Sequence, residues 1–108
     1  MKKIYFILIM SSFLLAQGEV HKGQTYYYYL IRDSLGYNGA VFAKQHTDKQ
    51  WAKLFDNNAK NLKEKLISQN KELESFTSSS KFNEISPHLK AFVMQYASNK
   101  KNTPECAE

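Results

Sequence analysis

Of the side chains able to do acid–base, redox or ligand chemistry, the chain offers few and scatters them: His21, His46, His88, Met94 and Cys106. Imidazole and thioether bind transition metals and haem iron. His46, His88 and Met94 are therefore the candidates for a metal or haem site. They show no ligand spacing such as H-x-x-x-H, and no acidic residue pairs with them in sequence. Cap or surface roles for the histidines and a gap-filling role for Met94 account for them more simply. Cys106 follows Pro104 and stands beside Glu105, whose charge disfavours the thiolate that a nucleophile needs. It is left as an inert thiol or as one half of a disulfide to a partner or second copy. Glu72 and Glu74 are two apart near a helix end, so they point in different directions and form no acid/base pair. With no G-x-S-x-G, no supported Ser/His/Asp order and no glycine-rich phosphate loop, the expectation is a non-enzyme. No catalytic residue and no cofactor is assigned.

The most unusual feature is aromatic. The chain holds seven Tyr, seven Phe and one Trp, and four of the tyrosines, Tyr26, Tyr27, Tyr28 and Tyr29, are consecutive. Four neighbours cannot share one helix face, so at least one must turn outward, and exposed Tyr is enriched at binding surfaces. The expected interaction surface is Tyr26–Tyr29 together with Tyr37 and Trp51. In the competing reading two or three of the tyrosines pack in the core with only their hydroxyls wet.

The elements that position these residues read as helices. Thr25 is the expected N-cap of a helix carrying the tyrosines through Ser34; a strand is the rival, since Tyr and Ile favour strands. Tyr26, Tyr29 and Leu30 line up at helical spacing, with Tyr27 and Ile31 in an adjacent row. Gly36 and Gly39 mark a break, and Ala40–Ala43 makes a short helical turn. Thr47 and Gln50 form a capping box for a helix whose Trp51, Leu54, Phe55, Asn58, Leu62 and Leu66 share one face, with a bend expected at Asn57–Asn58. Ser75–Ser80 reads as a loop. Ser86-Pro87 then starts the last helix, with Leu89, Phe92, Val93, Tyr96 and Ala97 as its apolar stripe.

The first residues carry a different signal. Lys2 and Lys3 precede an apolar run from Ile4 to Met10, which Ser11 and Ser12 interrupt before Phe13–Ala16 closes it; the stretch is too short for a membrane span, which needs roughly 20 residues, and polar residues follow it. That pattern predicts a signal peptide over 1–16 and a single small helical domain over 17–108 with a polar tail from about 99. An uncleaved N-terminal anchor is the alternative. Cleavage would lower the net charge from +5 to +3, with thirteen basic against ten acidic residues left. Lys60, Lys63 and Lys65 are interleaved with Glu64, a solvated face rather than a nucleic-acid footprint. The expected setting is periplasmic or secreted, with a protein partner, no nucleic acid, no stable membrane span after cleavage, and a possible dimer through Cys106.

G-Q-T-Y-Y-Y-Y-L-I, L-G-Y-N-G-A-V-F-A-K-Q-H-T, W-A-K-L-F and P-H-L-K-A-F-V-M-Q-Y-A-S-N resemble segments of small periplasmic cytochrome-c-like proteins of ε-proteobacterial type. The resemblance runs from Gly23 to Cys106 and implies an all-α, cytochrome-c-like arrangement of three to four helices. Covalent haem requires C-x-x-C-H. The chain has a single cysteine, and Ser34-Leu35-Gly36-Tyr37-Asn38 stands where that motif would lie. The expected function is therefore an exported accessory or interaction module without covalent haem. A periplasmic protein holding haem non-covalently, in electron transfer or haem binding, is the alternative.

Overall fold

The computed structural model describes residues 18–104; the expected signal peptide and Cys106 lie outside them. The described chain is all-α, with no strand among its residues. Its elements are α1 (Val20–Tyr26), a π-helical turn (Tyr27–Ile31), α2 (Arg32–Leu35), α3 (Gly39–Ala43), α4 (Asp48–Gln69), α5 (Leu73–Thr77) and α6 (Ser80–Gln95).

The first helical stretch starts earlier than Thr25. Glu19 is the N-cap, in extended conformation. Thr25 lies inside the helix with its hydroxyl donating back to the His21 carbonyl at 3.1 Å, a bond that competes with capping. The backbone N–H of Arg32 donates to the Tyr27 carbonyl five residues back, which closes the π turn. In a pure α-helix, residues four apart drift by about 40° at each step. The wider turn offsets that drift, so Gly23, Tyr27 and Ile31 all stay on the buried side. In the row of Tyr26, Tyr29 and Leu30, Tyr26 and Leu30 pack partly buried against the core and Tyr29 faces solvent.

The main contact of the fold is the crossing of this stretch with α6. Gly23 makes it possible: a Cβ there would overlap the His88 carbonyl oxygen and come within 2.7 Å of Phe92 Cβ. Helix α6 begins at Ser80, seven residues before the expected first helical position at Pro87. Ser79 is its N-cap, accepting from the Phe82 N–H at 3.3 Å. Pro87 therefore sits in the helix interior, and the Ser75–Ser80 segment expected to be a loop holds the end of α5 and the first residue of α6. Packing explains the extension. Phe82 and Ile85 are fully buried, so the turns before Pro87 carry their own share of core, which outweighs the lost backbone bond.

Helix α4 opens with the capping box at Thr47 and Gln50. Its bend is a local left-handed turn: Asn57, Asn58 and Ala59 have φ of 55°, 61° and 60°. The turn rotates the following half so that Ala59, not the expected Asn58, is buried along with Leu62 and Leu66. The core between α1, α3, α4 and α6 is aromatic, with Tyr27 stacked on Phe42 at 4.6 Å and Phe42 against Trp51 at 5.0 Å.

Candidate functional site

The four tyrosines divide into two inward and two outward side chains. Tyr27 is completely buried, and its hydroxyl donates to the Tyr37 carbonyl at 2.7 Å. Tyr26 is half-buried, 5.9 Å from the His88 ring and with the Lys81 ammonium 5.2 Å from its ring centre. Tyr28 and Tyr29 are 36% and 74% exposed, and their rings meet edge-to-face at 4.9 Å. With Val41 they are the exposed large hydrophobic side chains among the described residues. Arg32 lies on the same side, its guanidinium carbon 4.6 Å from the centre of the Tyr28 ring.

The remaining members of the expected surface sit elsewhere. Trp51 is in the core, its Nε1–H donating to the Ala43 carbonyl at 2.9 Å. Period-3.6 reasoning places Trp51 on an apolar face, and that face is where the structure puts it. Tyr37 is half-buried, and its hydroxyl donates to Gln69 Oε1 at 2.7 Å, tying the turn after α2 to the end of α4. Neither joins Tyr28 and Tyr29. Arg32 does, and a cation one helical turn after an outward Tyr was the sequence signal for it.

The candidate ligands do not converge. His46 Nε2 is buried without a hydrogen-bond partner among the described residues, with the ring packed edge-on against Trp51 at 4.8 Å. Burial first, and the Lys65 charge second, hold this imidazole below its ordinary value, against an upward pull from a hydrogen bond with Gln50. His88 is in mid-helix, not in a first turn, and its Nδ1 accepts the Glu19 N–H at 2.9 Å. Met94 lines an open groove of about 720 Å³ with Val20, Pro87 and Ala91, which neither His46 nor His88 borders. Among the described residues no three His, Cys, Asp or Glu side chains gather as a metal site. Haem fits these residues poorly, because Tyr27, Phe42 and Trp51 already fill the space between the helices with ring-to-ring contacts.

Among the described residues no helix is long and apolar enough to cross a membrane. No family model matches the chain, and no curated protein or solved structure is significantly similar to it.

Proposed function

We propose that this chain is a non-enzymatic interaction module, exported to the periplasm or beyond, that binds a protein partner through Tyr28 and Tyr29. The observation that carries this reading is the outward pair itself: two adjacent large rings held in edge-to-face contact, 36% and 74% exposed, with an arginine on one of them. Tyr and Arg are the side chains most enriched in binding hot spots. The π turn that presents them is a feature often found at functional sites, because an inserted residue costs helix regularity. Helices α1 and α6, crossing at Gly23, serve as the rigid support, in the manner of the terminal helices of a cytochrome-c-like scaffold.

The test is affinity capture from the periplasmic fraction with the tagged chain and with Tyr28→Ala/Tyr29→Ala. Neither ring belongs to the buried core cluster, so the variant should fold and melt much like the parent. The expected result is a stoichiometric partner retained by the parent and lost by the variant; retention by both contradicts the reading.

A second reading, non-covalent haem, is favoured by one observation, the unpartnered buried Nε2 of His46. It requires the aromatic core around Trp51 to open. A Soret band in stoichiometric amount, lost in His46→Gln, would replace the interaction reading with this one.

A further inference from the structure

The aromatic rings alone give the Tyr28–Tyr29 surface no chemical preference; Arg32 does. Its guanidinium is stacked on Tyr28, yet its hydrogen-bonding capacity is largely unspent. Nε is buried and has no partner among the described residues. Nη2 lies 3.8 Å from Asp33 Oδ1, beyond hydrogen-bonding distance, and the Asp33 side chain is 95% exposed. A solvated pair of this kind is weak, so a competing acceptor displaces it readily.

Beside the guanidinium opens a groove of about 350 Å³ lined by Arg32, Asp33, Gly36, Tyr37 and Asn38. Gly36 borders open space. Its φ is +87°, and no atom lies within 4 Å of where a Cβ would project. The surface thus offers an aromatic platform, a planar cation on its edge, and a recess next to that cation wide enough for a small polar group.

We infer that Arg32 is the specificity element of this surface and that the bound partner segment carries an Asp or Glu beside an apolar or aromatic side chain. The inference rests on reading Tyr28 and Tyr29 as the contact surface. The partner carboxylate enters the groove and takes the outer donors of the guanidinium, Nη1–H and Nη2–H, in place of Asp33, while Nε stays buried; an ammonium lacks that match in planarity and spacing. The neighbouring side chain lies on Tyr28 and Tyr29.

A random peptide display library selected on the secreted chain tests this without knowledge of the natural partner. The expected winners carry Asp or Glu next to an aromatic or branched apolar residue. Changing that acid to its amide should weaken binding about tenfold, the size of one charge-assisted hydrogen bond lost. Arg32→Gln should weaken the parent peptide equally, and Arg32→Lys should restore little of it. The amide peptides give this result on the unaltered protein, independently of how the variants fold. Winners that need Tyr28 and Tyr29 but lack an acid, or bind Arg32→Gln as well as the parent, overturn the inference and leave the contact surface standing. Failure to select any peptide lost on Tyr28→Ala/Tyr29→Ala overturns both.

Discussion

The backbone N–H of Glu19 donates to Nδ1 of His88 at 2.9 Å, so the start of the first helix is tied to the middle of the last. That bond sits one helical turn from the Gly23 crossing, where a Cβ would strike the His88 backbone and the Phe92 side chain. Gly23→Ala must push the two helices apart. The expected cost is about 2–3 kcal/mol, the upper part of the range for overpacking, read as a lower urea midpoint. A variant as stable as the parent would mean that this crossing is not the centre of the fold.

The left-handed turn in α4 should respond to side-chain branching. Asn58 is exposed with φ of 61°, a conformation that costs most L-residues roughly 1–2 kcal/mol. Asn58→Val is expected to lose about that amount, and Asn58→Gly to hold or gain a few tenths of a kcal/mol. Equal thermal unfolding of the two variants contradicts the turn.

Lys44 holds the C-terminal segment. Its Nζ donates to the carbonyls of Ala97, Lys100 and Asn102 at 3.2, 3.1 and 2.6 Å, completing the donors of one ammonium. Lys44→Met removes all three bonds and should cost about 2 kcal/mol. Hydrogen exchange should accelerate at the Ser98 and Lys100 amides, which bond to His46 and Ala97, while α4 remains protected.

The pH dependence follows from His46. Its folded-state pKa lies below the ordinary 6.5, chiefly because burial penalises the imidazolium. The unfolded chain therefore binds the proton more readily, so the contribution to stability is complete above about pH 6.5 and is lost as pH falls through the folded value. The difference in urea midpoint between pH 7.5 and pH 5 should shrink in His46→Gln. An unchanged difference would place the acid sensitivity elsewhere.

The sequence was most legible where a local rule and burial agreed. Thr47 and Gln50 identify the start of α4 because a capping box satisfies its donors within four residues. Leu89, Phe92 and Val93 identify the buried side of α6 for the same kind of reason. Pro87 misled: its local preference for a first turn loses to Phe82 and Ile85, whose burial depends on partners far away in sequence. The tyrosine run was half legible. Its inability to share one face is plain at period 3.6, but which two rings turn out depends on the π turn, and no local motif signals that turn. Arg32 carried a signal in its four-residue spacing from Tyr28, but that signal needs Tyr28 to be known as an outward ring.

Photo-crosslinking in living cells tests the contact surface most directly. p-Benzoylphenylalanine would replace Tyr29, and, as a control on an exposed position of α4, Lys60. The account predicts one discrete higher-mass adduct from position 29, absent from position 60 and competed away by excess parent chain. Adducts of equal yield at both positions, or none at 29, would contradict the claim that Tyr28 and Tyr29 form a binding surface.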